Sequence, residues 1–183
     1  INALKRQMVS HFIDFRKTQK SIGSNAKKTK TIIHGKTQLF KLGGGDLLLV
    51  RPDASSKTVA VRAACLGGLR LEPEKHAGLY ALMSNTLIRG TQNHSAEEIA
   101  QKMDSLACSI SGFTGRNTFG IQGEFLSSNF YDGFSLLADC FRRPVFEEQE
   151  VELERQLLLE DIRQTEDNPS KQAFLHCFKN LFG

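Results

Sequence analysis

No C-x-x-C pair occurs in the 183 residues, and no two of the five histidines stand three or four residues apart. The first absence excludes a zinc ribbon or a dithiol redox motif. The second excludes a metal site built from two histidines on one helix face. No G-x-S-x-G is present, so a serine nucleophile elbow has no support. No G-K-[ST] follows Gly43-Gly44-Gly45, so that glycine run is not a phosphate cradle. No apolar run approaches the roughly 18 residues of a membrane-spanning helix. No signal peptide is visible, which says nothing about compartment in an internal piece of a longer protein. The start at Ile1 and the stop at Leu181-Phe182-Gly183 lead to the expectation that this is such a piece.

Acid is nearly missing from residues 1–36, where Asp14 alone faces Lys5, Arg6, Arg16, Lys17, Lys20, Lys27, Lys28, Lys30 and Lys36. That segment carries +8 and the remainder −4, so the net charge of +4 belongs to the leading arm. A basic arm can bind nucleic acid or anionic lipid. No aromatic residues alternate with Lys27–Lys30 to stack bases, so it is read as a solvated linker, with the binding module as the alternative. Cys65, Cys108, Cys140 and Cys177 are far apart among apolar neighbours and read as small buried apolar residues. A disulfide is the open alternative.

What is present is periodicity. Leu4, Met8, Phe12 and Phe15 give helical spacing over Ala3–Phe15, and residues 19–30 read as a linker. Gln38–Leu42 and Asp46–Arg51 flank the glycine turn as hairpin strands, and Thr58–Leu66 is a third strand. Leu79, Leu82, Met83, Thr86 and Leu87 form one stripe of a buried helix over His76–Arg89. Ser95 with Glu98 makes a capping box for a helix over Ala96–Leu106. Cys108–Phe113 and Thr118–Phe125 are strands. Helices follow from Ser127 or Ser128 to about Phe141, from Glu147 to about Thr165, and over Pro169–Phe182, with Pro144 ending the first. His76 and His94 are read as helix-terminus or surface residues. Strands followed by segregated helices predict an α+β fold, a two-layer sandwich of a largely antiparallel sheet with helices on one face.

Residues Gly78–Thr91 read GLYALMSNTLIRGT, and SAEEIAQKMDSL follows. This layout resembles the signature helix of the pitrilysin/insulinase family of zinc peptidases, which carries H-x-x-E-H. Other segments keep the order and spacing of that family. Leu39–Pro52 resembles its opening hairpin, Leu66–Glu72 its G-S-R-x-E segment, and Gly90-Thr91 with Ser95–Ile99 its G-T-x-x-x-S-A-E-E-I. Ser111–Arg116 resembles N-A-F-T-S-R, Leu136–Asp139 L-L-A-D, Pro144-x-Phe146 P-x-F, and Glu154–Ile162 E-R-Q-x-x-x-E-E-I. The resemblance covers residues 37–183 and is specific because the segments follow in order with almost no gaps.

In H-x-x-E-H the two histidines hold zinc and the glutamate serves as general base. Here Ala81 and Asn85 stand in the histidine positions and Ser84 in that of the glutamate. Counting without gaps puts the third ligand position on Asp161, with Glu154 beside it as an outer-shell carboxylate. Zinc in hydrolytic sites needs three protein ligands and a water. No catalytic residue and no metal are therefore expected in this chain, and Glu150, Glu154 and Asp161 read as a solvated helix face.

The resemblance implies a half-domain of the mitochondrial-processing-peptidase-like type, most like the second half of a tandem bacterial member. Residues 1–36 would be the leading helix and linker from a preceding half, and 37–183 an incomplete half-domain. The resemblance further implies a noncatalytic, substrate-enclosing half of a metalloendopeptidase. Zinc is expected in the catalytic half, which is either in the same chain or a partner subunit, and a peptide is the substrate. Ser111, Gly112, Phe113, Thr114 and Arg116 are the candidate peptide contacts. The alternatives are a purely structural family member and the basic-arm module. The compartment stays open between bacterial cytoplasm and periplasm.

Overall fold

The computed structural model describes residues 29–34, 36–42 and 45–182. The expected helix over Ala3–Phe15, the linker as far as residue 28, and Gly43-Gly44 lie outside the described residues. The strands are β1 (Thr29–His34), β2 (Thr37–Lys41), β3 (Leu47–Val50), β4 (Thr58–Leu66), β5 (Ser109–Thr114) and β6 (Thr118–Leu126). The helices are α1 (Leu79–Thr86), α2 (Ala96–Ser105), α3 (Phe130–Arg142), α4 (Glu148–Glu166) and α5 (Pro169–Phe182). β1 runs into the segment expected as linker. Its Thr29, Thr31, Ile32 and Ile33 are β-branched and favour an extended chain beside β2.

The strands form two antiparallel three-stranded sheets, ordered β1–β2–β3 and β4–β6–β5. The α+β class and the antiparallel pairing are as the pattern predicts. The second sheet carries the core. Strand alternation turns Cys65, Ile110, Phe119, Ile121 and Phe125 inward, against Leu79, Leu82, Met83 and Leu87 at α1 and Leu136, Leu137 and Cys140 of α3. Full burial of each large side chain contributes about 1.5–3 kcal/mol. The same alternation leaves Ala60, Arg62 and Ala64 of β4 exposed on the opposite face. That sheet therefore has a packed helix side and an open side.

Two local features position α1. It begins at Leu79 rather than His76, because Glu74–His76 form a separate turn and Gly78 takes a left-handed conformation with φ 89°. A β-carbon is disfavoured there and glycine is not. The loop before it is tied to the turn after β5: Gly67 N–H donates to Asn117 O, Leu69 N–H to Gly115 O and Arg70 N–H to Arg116 O, at 3.0–3.2 Å. The predicted capping box is present, with Glu98 N–H donating to Ser95 Oγ and Ser95 N–H to Glu98 Oε2.

Candidate functional site

The helix α1 starts on a carboxylate that sequence reasoning did not single out as a cap. Glu72 accepts from the backbone N–H groups of Gly78 at 2.8 Å and Tyr80 at 2.6 Å. First-turn N–H groups have no partner within their own helix, and an anion there also meets the positive end of the helix dipole. Glu72→Ala is expected to cost about 1–2 kcal/mol, typical of losing a cap. Thermal unfolding reads the loss, and Glu72→Gln is expected to recover part of it.

Along α1, Ala81 and Asn85 are half-buried, and Ser84 is fully buried. Ser84 Oγ lies 2.9 Å from Thr114 Oγ1, and Thr114 Oγ1 donates to Tyr80 O at 3.0 Å. A hydroxyl has one proton, so with Thr114 donating to Tyr80 it is Ser84 that donates to Thr114. The position that aligns with the family's general base is thus a tie between helix and sheet. Gly112 sits against the same turn: a β-carbon on it would lie 2.0 Å from Ser84 O. Strand β5 consequently lies flush on α1.

On α4 the acidic series divides. Asp161 is exposed, as expected of a solvated face. Glu154 is not: it is buried and ion-paired with Arg89 at the end of the α1 region. Glu150 is half-buried, and among the described residues one of its carboxylate oxygens has no hydrogen-bond partner. The solvated reading is corrected for Glu154, because its partner lies 65 residues away in sequence. These residues do not fit a zinc ion. Ala81 offers a methyl group, the Ser84 hydroxyl is committed to Thr114, and Glu154 is committed to Arg89. Among the described residues no three His, Cys, Asp or Glu side chains gather into a metal-holding group.

The candidate peptide contacts fall on different faces of β5. Ser111 and Phe113 lie on the open side of the sheet, whereas Gly112 and Thr114 face α1. Arg116 is exposed in the turn after β5. Strand β5 is an edge strand. It pairs with β6 on one side, and among the described residues no strand pairs with its other side. On the open face the Arg62 guanidinium lies 3.7 Å from the centroid of the Phe113 ring. A shallow groove of about 260 Å³ runs there, lined by Ala60, Arg62, Ser109, Ser111, Gln122 and Glu124 among others.

Two other motif positions turn out to be structural clamps. Thr91 Oγ1 donates to Asp139 Oδ2 at 2.7 Å and Asn93 Nδ2 to Asp139 Oδ1 at 2.9 Å, which joins the loop before α2 to α3. All four cysteines are free. Cys65 and Cys140 are buried as expected, and burial pushes both thiols up to about 12. Cys177 departs from the expectation: it lies on an exposed stretch of α5. No helix among the described residues is long and apolar enough to cross a membrane.

The sequence profile described as insulinase (peptidase family M16) matches residues 48–182. An uncharacterized zinc protease of Rickettsia bellii is 25% identical over 142 residues, covering 78% of this chain and 34% of that protein. Cytochrome b-c1 complex subunit 1 of Bos taurus is 22% identical over 146 residues, covering 80% of this chain and 30% of the subunit. Among solved structures, a protease from Helicobacter pylori superposes with a TM-score of 0.62 at 17% identity, over 81% of this chain and 34% of that one. The chain spans about a third of the length of the curated relatives it matches.

Proposed function

The chain belongs to the insulinase family of peptidases, and from that premise we propose that it is a noncatalytic, substrate-enclosing half of a zinc-dependent metalloendopeptidase. The observation that carries this reading is the use made of Ser84. In the family's frame its position would hold a general base, which must reach substrate or water. Here its hydroxyl is fully buried and spent on Thr114. Flanking Ala81 and Asn85 supply no zinc-holding pair. No catalytic step is assigned to this chain.

The role left to this half is binding. An extended peptide adds to the free side of β5 through backbone hydrogen bonds, the β-augmentation mode, and its side chains meet the open face of the sheet. Ser111 and Phe113 contribute side chains to that contact, Gly112 and Thr114 only backbone groups. Zinc and the groups that activate water belong to a catalytic half, in the same chain or in a partner subunit. Of residues 1–36, Thr29–His34 belong to the β1–β2–β3 sheet, and the basic segment before them is the tether from a preceding half.

The likeness to a cytochrome b-c1 complex subunit favours a second reading, a purely structural family member. Two measurements on this chain separate the readings. Metal analysis after dialysis against zinc is expected to find well under one zinc per chain, and tight stoichiometric zinc would overturn the noncatalytic reading. Backbone amide spectra recorded with an extended peptide are expected to show shifts confined to Ser109–Thr114 and its neighbours. Absence of any shift there supports the structural member instead.

A further inference from the structure

We propose that the open face of the β4–β6–β5 sheet holds a carboxylate subsite centred on Arg62, which selects an acidic side chain of a peptide paired with β5. The inference rests on the β5-edge reading above and adds to it the chemistry that the site prefers.

The register builds the subsite. Across the sheet, Arg62 of β4 faces Gln122 of β6, and Gln122 faces Ser111 of β5. One step along, Ala64 faces Gly120, and Gly120 faces Phe113. Gly120 has no side chain to stand between Arg62 and Phe113. The long arginine therefore crosses β6 diagonally and lays its guanidinium on the Phe113 ring at 3.7 Å. Such a cation–π contact holds the guanidinium over the Phe113 side of the open face.

The charge is left unspent. Among the described residues Arg62 has no carboxylate within ion-pair distance and no hydrogen bond to a protein acceptor. Glu124, the acid on the same groove, lies one register step away beside Ala60 and does not pair with it. A guanidinium carries its N–H donors in its own plane, where they match a carboxylate in bidentate fashion. Neighbouring strands lie about 4.8 Å apart, and side chains of a strand added to β5 alternate between the two faces. A side chain on the open face opposite Phe113 comes up beside the ring on which the guanidinium rests. Around it stand Ala64, Gly120 and Ser111, whose small size leaves room for a Glu or Asp.

The test uses three labelled nine-residue peptides of alternating Thr and Val. The first carries a central Glu and an amidated C-terminus, the second a central Gln and an amidated C-terminus, and the third a central Gln and a free C-terminal carboxylate. Fluorescence anisotropy gives affinity, and amide shifts locate each peptide. The Glu peptide is expected to bind about tenfold more tightly than the amidated Gln peptide, a difference within the range of a charge-assisted hydrogen bond. Arg62→Gln is expected to abolish that preference while amide shifts over Ser109–Thr114 persist for both peptides. Phe113→Leu, which removes the stack and keeps the charge, is expected to leave a weaker preference. Equal gain from the free C-terminus would assign the subsite to a chain-terminal carboxylate and overturn the side-chain assignment. Shifts at β5 with no preference, or a preference that survives in Arg62→Gln, overturn the subsite alone. No shift at β5 with any peptide overturns the edge reading, and the subsite with it.

Discussion

Gly112→Ala is expected to lower stability by about 3 kcal/mol or more, near the upper end of what overpacking a core costs. The added β-carbon would lie 2.0 Å from Ser84 O, 2.3 Å from Ser84 C and 3.0 Å from Asn85 N. All three are backbone atoms of a helix, so no side-chain rotation relieves the contact. Either β5 moves away from α1 or α1 shifts along the sheet. Both movements break the Ser84–Thr114 and Thr114–Tyr80 hydrogen bonds, whose geometry depends on that approach. For a domain of this size about 1 kcal/mol corresponds to 2–4 °C, so the midpoint should fall by roughly 10 °C. Gly115→Ala is the matched control. Its β-carbon would meet only Thr118 atoms at 3.5 and 3.6 Å, ordinary contact, and its effect should stay within about 0.5 kcal/mol. Equal midpoints for the two variants would contradict the placement of β5 on α1. Because β5 also offers the proposed peptide edge, Gly112→Ala should weaken peptide binding well below the unfolding temperature.

The contrast between Gly112 and the capping box marks what the sequence could disclose. Ser95 and Glu98 stand three residues apart, act on each other, and are readable as a pair. The helical stripe of Leu79, Leu82, Met83 and Leu87 and the alternation of β4 are local in the same sense, and both lead to the right elements. The contacts that make the site are not local. Glu72 caps α1 from beyond a 3-10 turn, Arg89 finds Glu154 across 65 residues, and Ser84 finds Thr114 across 30. No periodicity encodes such partnerships, so Glu154 read as solvated and Glu72 as one letter of a resemblance. α1 starts three residues later than the periodicity predicts, because the left-handed Gly78 separates it from the turn at Glu74–His76. β1 begins inside the stretch read as linker because Thr29 and Lys30 are polar, whereas the pairing with β2 decides its conformation. The division of Ser111–Thr114 into an open face and a helix face follows from strand alternation, and the signal that could have assigned it is Gly112 itself. A glycine inside a strand marks a close backbone approach.

Restoring the family's glutamate as Ser84→Glu is expected to destabilise the chain by about 4 kcal/mol or more at pH 7, through the cost of placing an unpaired carboxylate in a dry site. Ser84 is fully buried, and among the described residues the only partner of its hydroxyl is Thr114, which is already committed as donor to Tyr80. The new carboxyl would therefore hold its proton to a higher pH in the folded state than in the unfolded one. A carboxyl raised in this way favours the folded state least where the unfolded chain ionises freely. The penalty should thus be smallest near pH 4, where the overpacking alone remains, and grow as the pH rises from about 4 towards 8. Melting at pH 5 and pH 8 tests this, with a larger deficit expected at pH 8. The double change Ala81→His with Asn85→His falls at half-buried positions and should cost about 1 kcal/mol or less. If Ser84→Glu melted like the parent chain at pH 8, the burial of position 84 between α1 and β5 would be contradicted. If it melts as expected, the loss of the motif goes deeper than three side chains. The helix face that would carry a general base in a catalytic half here forms the seam between α1 and β5, and closing that seam is what holds the proposed peptide edge in place.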